Sequence, residues 1–381
     1  MIKCEDKKGI IFIRATSIVS DSRVTKEADA ALKGGYKVFI LGWNREKKQI
    51  DTSKLQLNNG VAGIKLFNVK CGYGDGLKNL PKLLMFQFWI LFQLFIMKKQ
   101  YSIIHSCDFD TVIPCFAIKK ITNKRLIYDI FDYYIHSHNV PSILENLVER
   151  IDIGIINGAD AVLICNESRY KQIGKSTPKL VEVIHNTPNL DFIKNTPNIC
   201  KSSNEKFKIV YVGILQNGRL LIEISDLIKN YNSIELHIGG FGRFEEHFDT
   251  LSKELDNVYY YGQLSYSMAL RLESECDVLF ATYDPKIPNH KFSAPNKIYE
   301  AMALSKPIVV CNKTGVDEII NIYNMGVSIE YKAEKFFDAM LLLEKNINMR
   351  IDMGENGRRA YDEQFSWGLM EKRLLSLYSK L

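Results

Sequence analysis

The chain has 381 residues, of which 46% are hydrophobic and 25% are charged, as in an ordinary globular protein. This length exceeds a typical single core and predicts two domains. The net charge of +6 combines +9 in residues 1–190 with −3 in the remainder, so the N-terminal half should attract an anionic partner. The sequence has no zinc pattern or basic stripe with interleaved aromatic residues, and we expect no nucleic-acid partner. A membrane surface or a phosphate-bearing acceptor explains the asymmetry equally well.

Eight cysteines are scattered along the chain without a Cys-x-x-Cys pair. Scattered free thiols are typical of proteins in a reducing compartment. The N-terminal stretch "MIKCEDKKGIIF" is charged and lacks the apolar core of a signal peptide. These features predict a cytoplasmic protein.

In the first half of the chain, short apolar runs alternate with helical stretches. "GIIFIRA" predicts a first strand, and "DSRVTKEADAALKGGYKVFILGW" predicts a helix, a turn and a second strand. The runs "YSIIHSCD", "RLIYDIFD" and "ADAVLICN" continue the pattern. Strands that alternate with helices indicate parallel βαβ units, so we predict a Rossmann-like domain over residues 1–190.

The segment "LLMFQFWILFQLFIM", residues 83–97, permits two interpretations. At 15 residues it is shorter than the ~20 that a spanning helix needs. It can form a buried helix of the first domain that leads into the strand "YSIIHSC". It can also lie at a membrane interface, because lysines flank it at positions 78, 82, 98 and 99. The second interpretation predicts peripheral membrane contact through residues 78–99.

From residue 186 the composition changes to a stretch with two prolines that is rich in Asn, Ser and Lys. This composition predicts a linker, which we place at residues 191–206. The strand and helix alternation then restarts with "FKIVYVGIL", "IELHIGGFG", "NVYYYGQL", "CDVLFATY" and "PIVVCN". We therefore predict a second Rossmann-like domain over residues 207–356, and the remaining stretch to residue 381 reads as helices.

Two doubly wound α/β domains joined by a hinge should face each other across a cleft at the carboxyl ends of their strands. In the second domain, glycine-containing loops or helix starts follow five successive strands. Helices predicted to begin near Pro295 and Val316 would aim free N–H groups at this edge. Together with Arg219 and Lys297, they form a plausible seat for a diphosphate, and Glu300 is suited to accept hydrogen bonds from a ribose. The alternative is a solvated Lys297–Glu300 ion pair on a surface helix.

The order of these stretches, from "YVGIL" and "LHIGGFG" through "SAPNKIYEAMALSKPIVV" and "TGVDEII" to "GENGR", resembles the C-terminal half of family-4 glycosyltransferases of the GT-B fold. "HNTPNLDF" and the first helical stretch are similar to other recurrent parts of that family. The resemblance implies retaining transfer of a sugar, of the hexosyl type, from a nucleotide-sugar donor to a glycan or lipid-linked acceptor in cell-surface polysaccharide biosynthesis. It implies no cofactor and no obligatory metal. It also implies a donor on the second domain, an acceptor on the first, and a helix near residues 357–381 that packs back on the first domain.

Carried over residue by residue, the resemblance assigns Glu300 to the second glutamate of a Glu–seven residues–Glu motif, whose first position here is Phe292. Arg219 matches a basic residue that contacts the diphosphate, and Lys297 can replace a lysine that is missing after it. The predicted catalytic set on the donor side is therefore Arg219, Lys297 and Glu300. The predicted donor-binding residues are Gly213, Arg219, Gly240, Gln263, Leu264, Ala294, Pro295, Asn296, Lys297, Glu300, Gly315 and Val316.

On the acceptor side, relatives carry a histidine where this chain has Phe131, in "YDIFDYY". Asp132, or His105 from "IIHSCD", is then the candidate that faces the acceptor. Two other functions remain open: a nucleotide-sugar epimerase of the GT-B type, and an inactive nucleotide-sugar-binding partner. Transfer to a lipid-linked acceptor would place the protein at the inner face of the cell membrane.

Overall fold

A computed structural model describes residues 9–18, 21–46, 53–72, 79–137, 140–194, 196–202, 205–292 and 295–381. The chain divides into two compact units. The first unit contains residues 1–185 and 370–381, and the second contains residues 186–369. The second unit thus begins before the predicted linker. Within that linker, the backbone N–H groups of Ile199 and Cys200 donate to the carboxylate of Glu275, so this part packs on the second unit.

The first unit is built on an eight-stranded sheet of order β3-β4-β2-β1-β5-β6-β7-β8. Among the described strands, only the β3–β4 pair is antiparallel. The β1 residues Ile10 to Ile13 are buried without a polar residue between them, as expected for a parallel strand covered on both faces. The strands are β1 Gly9–Ile13, β2 Lys37–Trp43, β3 Lys54–Leu57, β4 Gly60–Phe67, β5 Ile103–Cys107, β6 Arg125–Ile130, β7 Ala161–Ile164 and β8 Val181–Val183.

Helices cover this sheet. The helices of the unit are α1 Ser22–Lys33, α2 Leu80–Ile96, α3 Phe109–Ile121, α4 Tyr134–Ser137, α5 Ser142–Gly158 and the larger part of α13 Trp367–Lys380. The inner sides of α2, α3 and α5 belong to one apolar cluster with the sheet. Helix α13 packs near the C-terminal end of α1, where Lys33 pairs with Glu371, and Tyr36 in the turn that follows contacts Tyr378 edge-on.

The second unit is built on a six-stranded, fully parallel sheet of order β11-β10-β9-β12-β13-β14. Its strands are β9 Phe207–Leu215, β10 Ile234–Gly242, β11 Val258–Tyr260, β12 Val278–Ala281, β13 Ile308–Cys311 and β14 Gly326–Ile329. Its helices are α6 Leu221–Ile228, α7 Glu245–Glu254, α8 Tyr266–Ser274, α9 Asn296–Ala303, α10 Val316–Tyr323, α11 Ala333–Lys345 and α12 Ile347–Ala360. The predicted α/β class with two Rossmann-like units is confirmed.

Helix α9 is shorter than the sequence predicts. It begins at Asn296 because Pro295, with ψ of 137°, is extended and precedes the helix instead of forming its first residue. It ends at Ala303, and Ser305 then adopts a left-handed φ of 56° before Pro307. The helix therefore has 8 residues, against the roughly ten that the pattern indicates.

Within the described part of the chain, no helix combines the length and apolarity needed to cross a membrane.

Candidate active site

The residues that the sequence predicts to bind the donor lie along one edge of the second sheet. Because all six strands are parallel, their carboxyl ends meet at this edge, where open α/β sheets bind ligands. Gly213 and Gly240 lie near the ends of β9 and β10, and Arg219 lies between β9 and α6. Gln263 and Leu264 follow β11. Helices α9 and α10 begin after β12 and β13, so their N-termini point to the same edge.

The two helix starts differ in charge. The first turn of α9 has no acidic residue, and no described side chain caps it. The first turn of α10 carries Asp317 and Glu318. The Asp317 carboxylate accepts the N–H groups of Lys313 and Thr314, at 2.8 and 3.2 Å. An anion at this edge is therefore better served by α9 than by α10, because the α10 start already holds a carboxylate.

Arg219 is held by two aromatic neighbours. Its guanidinium lies 3.9 Å from the ring centre of Tyr283, and its Nη1 donates to Nε2 of His290 at 3.0 Å. His290 Nδ1 in turn donates to the backbone oxygen of Asp284 at 2.8 Å. Burial, followed by the Arg219 charge, lowers the pKa of His290, so its ring is neutral and accepts from the arginine. His290 and Tyr283 thus fix the direction of a cation at the carboxyl edge.

Lys297 lies in a buried charge cluster. Its Nζ donates to the backbone oxygen of Val212 and lies 3.4 Å from the Glu273 carboxylate on α8. Burial opposes its charge, but Glu273 and Glu300 outweigh burial and raise its pKa. Burial, followed by the charge of Glu300, raises the pKa of Tyr266, so this tyrosine is neutral beside the Glu300 carboxylate. Lys297 therefore serves first as the counter-charge of two buried carboxylates, which differs from the predicted contact with a diphosphate.

The ionised form of Glu273 is disfavoured within this cluster. Burial, followed by repulsion from Glu300, raises its pKa to about 8 although Lys297 opposes the shift. A buried carboxylate pair with one ammonium group cannot easily hold two negative charges, so Glu273 keeps a proton at neutral pH. Glu273 thereby positions Lys297 and limits the charge around Glu300.

Tyr211 lies near both Arg219 and the charge cluster around Lys297. Its ring centre is 5.0 Å from Lys297 Nζ, and its hydroxyl donates to the backbone oxygen of Ile214 at 3.0 Å. Burial, followed by Tyr283, raises its pKa to about 12, while Lys297 and Arg219 oppose the shift. The structure therefore brings the predicted Arg219, Lys297 and Glu300 into one region at the ends of β9 and α9.

Two of the predicted glycines are required by the protein backbone itself. A Cβ on Gly240, whose φ is +137°, would lie 1.8 Å from the backbone oxygen of Gly213. A Cβ on Gly315, whose φ is +73°, would lie 2.4 Å from the backbone oxygen of Lys291. Both positions exclude side chains for reasons of strand and loop packing. Ala294, also predicted to bind the donor, lies outside the described residues.

In the first unit, His105 differs from the prediction that it could face an acceptor. It is fully buried in β5, where Nδ1 accepts from the Tyr378 hydroxyl at 2.9 Å and Nε2 lies 3.4 Å from Asp129. Burial lowers its pKa, against the pull of Asp129. His105 thus belongs to the interior, between β5 and the last helix, and has no exposed surface for an acceptor.

Asp132 lies at the carboxyl end of β6 and is half-exposed. It accepts from Arg169 at 2.9 Å. The neighbouring Phe131 ring is stacked by the guanidinium groups of Arg14 and Arg23, at 4.1 and 4.8 Å. Asp108, which binds Arg14, also accepts the N–H of Phe131 at 2.9 Å. The Phe131 ring therefore packs against two cations.

One group of described residues has metal-ligand geometry: the ligand atoms of His105, Cys107 and Asp129 lie within 4.8 Å of one another. Arg23 donates to both oxygens of Asp129, at 3.2 and 2.9 Å. The positive charge that a metal would supply is thus already present, and the group does not fit a cation.

Comparisons with known proteins point to one enzyme class. Residues 192–360 match the family model described as Glycosyl transferases group 1. An uncharacterized glycosyltransferase of Methanocaldococcus jannaschii is 22% identical over 204 residues, which are 50% of this chain and 50% of that relative. The chain thus spans about half the length of this curated relative. These matches support a glycosyltransferase.

Solved structures agree on the fold over nearly the whole chain. Sucrose-phosphate synthase from Thermosynechococcus elongatus has a TM-score of 0.76 at 15% identity, with 98% of this chain and 99% of that chain covered. Anabaena HepE in complex with UDP and glucose has a TM-score of 0.70 at 14% identity, with 98% and 100% covered. An E. coli structure described as trehalose-6-phosphate bound with UDP-2-fluoro glucose has a TM-score of 0.72 at 10% identity, with 98% and 99% covered. The fold is that of the GT-B glycosyltransferases.

The sequence did not point to five residues of the candidate site: Tyr211, Tyr266, Glu273, Tyr283 and His290. No local motif marks them, because each acquires its role from a partner on another element. Glu273 is 24 residues from Lys297 along the chain, and His290 is 71 residues from Arg219. The one sequence signal for Glu273 was an acidic residue on the apolar side of the amphipathic helix α8, next to the apolar strand β12.

Proposed function

We propose that the protein is a retaining family-4 glycosyltransferase that moves a hexosyl group from a nucleotide-sugar donor to a glycan or lipid-linked acceptor. Its role would be in cell-surface polysaccharide biosynthesis at the inner face of the cell membrane. The observation that carries the proposal is the joint position of Arg219, Lys297 and Glu300 at the carboxyl edge, inside the segment that matches the family model. Neighbours with UDP or UDP-glucose bound make uridine diphosphate sugars the first donors to test.

The chemistry follows from the charges at this edge. Breaking the sugar–phosphate bond leaves negative charge on the nucleoside diphosphate, which Arg219 and the free N–H groups of α9 would stabilise. Glu300, whose charge acts on Lys297 and Tyr266, would accept hydrogen bonds from the ribose. Lys297 would act on the diphosphate through its field and not by direct contact. No obligatory metal is proposed for this transfer.

On the acceptor side, the proposal assigns a role to Asp132 only. Its carboxylate is half-exposed at the end of β6 and paired with Arg169, so it can meet an acceptor hydroxyl. His105 is not proposed to contact the acceptor, because it is buried against Tyr378.

The test is a transfer and hydrolysis assay with a panel of nucleotide sugars, using wild type, Arg219→Gln and Glu300→Gln. Loss of Arg219 should lower turnover about 10²-fold or more, because a charge that stabilises the leaving group is removed. Glu300→Gln should weaken donor binding roughly 10- to 100-fold. The exposed Arg243→Gln is the matched control and should behave as wild type.

Melting temperatures separate lost chemistry from lost folding. If both variants keep the wild-type melting temperature and full turnover, the donor site is elsewhere and the proposal fails. If no nucleotide sugar binds or reacts, the transferase assignment itself fails. Tight donor binding without turnover, in the presence of native acceptor lipids, would instead support an inactive binding partner.

The epimerase alternative receives no support from the histidines of the second unit. His237 bonds Tyr261 at 2.9 Å, His247 bonds Ser225 at 2.8 Å, and His290 bonds Arg219. Each of the three has its own partners on a different part of the unit, so they do not form an acid–base group around one sugar. Epimerised donor in the absence of acceptor, detected by NMR, would favour this alternative.

A further inference from the structure

Helix α2 has an unusual composition for the surface of a domain. Between Lys82 and Lys98 it contains no charged residue, and its only polar residues are Gln87 and Gln93. A helix that is apolar all round is normally buried on all sides. In this structure α2 packs on the sheet with one side only.

The two sides of α2 are clearly separated. The inner side places Phe86, Ile90 and Leu94 in the core of the first unit. The outer side, which we call the α2 stripe, consists of Leu84, Met85, Phe88, Phe92, Phe95 and Ile96. Phe88 is 70% exposed and Phe92 60% exposed, and the other four are each 46–55% exposed. Positions 85, 88, 92 and 96 follow helical spacing, so the stripe is continuous along the helix.

A contiguous apolar surface of this kind marks an interaction site in a soluble domain, whereas scattered exposed apolar residues do not. Its contact partner must be apolar over the length of α2, which at 17 residues is about 25 Å. Helix α5, which packs beside α3 in the same layer, adds Ile143 at 87% and Leu147 at 55% exposure. Helices α2 and α5 each precede a parallel strand, so both N-termini lie at the carboxyl edge of the sheet.

The charges around the α2 stripe select a lipid surface as the partner. Lys82 stands at its start and the exposed Lys98 and Lys99 at its end, and α2 contains no acidic residue. Lys98 Nζ lies 4.5 Å from the ring centre of Phe95, so its stem follows the apolar surface while its ammonium group stays at the rim. Aromatic residues on one side with lysines at the ends are typical of helices that lie in an interface, with anionic headgroups around them.

We propose that the α2 stripe, with Lys82, Lys98 and Lys99, docks the first unit on an anionic lipid bilayer. Helix α2 lies in the plane of the headgroups, and Ile143 and Leu147 of α5 enter the same surface. This inference rests on the proposed function, since it brings the carboxyl edge of the acceptor-side unit to the surface where a lipid-linked acceptor would be. It specifies the partner by chemistry: negatively charged phospholipid headgroups above an acyl layer.

The test is flotation of the purified full chain with vesicles of phosphatidylcholine alone or of an equal mixture with phosphatidylglycerol. Wild type should float with the mixed vesicles, and high salt should weaken but not abolish binding. Phe88→Gln combined with Phe92→Gln should lower the vesicle partition constant about tenfold or more, since each buried aromatic side chain contributes through its apolar area. Lys98→Gln combined with Lys99→Gln should lower the partition constant roughly 30-fold on mixed vesicles only, because two lysines near the anionic surface are lost.

Matched controls use exposed residues of the second unit. Ile347→Gln with Ile351→Gln removes two exposed apolar side chains, and Lys229→Gln with Lys345→Gln removes two exposed charges. Both control pairs should bind as wild type. The proposal is overturned if wild type, the Phe88/Phe92 double variant and the Lys98/Lys99 double variant bind vesicles equally. A second result would also overturn the proposal: wild type does not bind vesicles but self-associates without lipid, and Phe88→Gln with Phe92→Gln abolishes that self-association. The α2 stripe would then join two copies of the chain.

The experiment is independent of catalysis. Binding to vesicles needs neither donor nor turnover, so a failed transferase assay leaves this result intact. Conversely, a Phe88/Phe92 or Lys98/Lys99 double variant that loses vesicle binding should still hydrolyse a soluble nucleotide sugar at the wild-type rate. This pattern distinguishes failure of the membrane inference from failure of the proposed function.

Discussion

Glu273 and Glu300 are two carboxylates that share one ammonium group inside the second unit. Among the described residues, Lys297 supplies the positive charge that acts on both, and its Nζ is also bonded to the Val212 carbonyl. The cluster therefore holds a proton at neutral pH that the unfolded chain would release. Because the proton resides on Glu273, whose pKa is raised to about 8, the stability of the unit must depend on pH.

We predict that Glu273→Gln changes this pH dependence. In wild type the folded state keeps a proton that the unfolded state loses between pH about 4.5 and 8, so the free energy of unfolding falls as pH rises through this window. Glutamine carries no titrating group there. The melting temperature of the variant, relative to wild type, should therefore rise from pH 5 to pH 8. Exposed Glu246→Gln is the control, and parallel curves for Glu273→Gln and wild type would contradict the prediction.

At the residue scale, the sequence predicted the parts of the site that lie in local motifs. Arg219 follows a strand and Glu300 lies one turn inside a helix, and both are found where the pattern indicates. The orientation of Lys297 could not be predicted, because it depends on Glu273 in a different helix. His105 shows the same limit: its position after an apolar run suggested a surface role, while its partner Tyr378 lies 273 residues away.

At the element scale, a close backbone contact near the carboxyl edge of the second sheet joins β9 and β10. Gly240 and Gly213 are register partners, and Gly240 adopts a φ that L-amino acids rarely adopt. The run "HIGGFG" indicated a loop that approaches a ligand. The structure shows a second reason why position 240 requires glycine: the backbone of β9 occupies the space that a side chain would need.

We predict that Gly240→Ala destabilises the second unit by roughly 3 kcal/mol, through strained backbone and separation of the two strands. Gly262→Ala is the matched control, because Gly262 also has a positive φ, of +65°, but a Cβ added there would meet no atom of the described residues within 4 Å. The control should cost only about 1 kcal/mol. Urea unfolding of both variants measures the difference, and equal losses would show that strand crowding at Gly240 is unimportant.

At the scale of the whole molecule, each unit has its own sheet and its own core, as the length of the chain predicted. The first unit is discontinuous: residues 370–381 belong to it although residues 186–369 form the second unit. Periodicity predicted a helix at the C-terminus, but only the family resemblance implied that it packs on the first domain. Local patterns could not predict this packing, because the apolar face of a helix does not indicate which domain it packs against.

The last segment should therefore control the stability of the first unit alone. Leu374 and Leu377 of α13 are buried, and Tyr378 bonds His105 inside the unit. We predict that Leu377→Ala costs about 2–5 kcal/mol, because it removes buried methyl groups and leaves a cavity. Hydrogen exchange followed by mass spectrometry should show faster exchange in peptides from residues 9–185 and unchanged exchange in peptides from residues 205–360. Ser376→Ala, exposed on the same helix, should leave both sets unchanged. Faster exchange throughout the chain would mean instead that the two units unfold together.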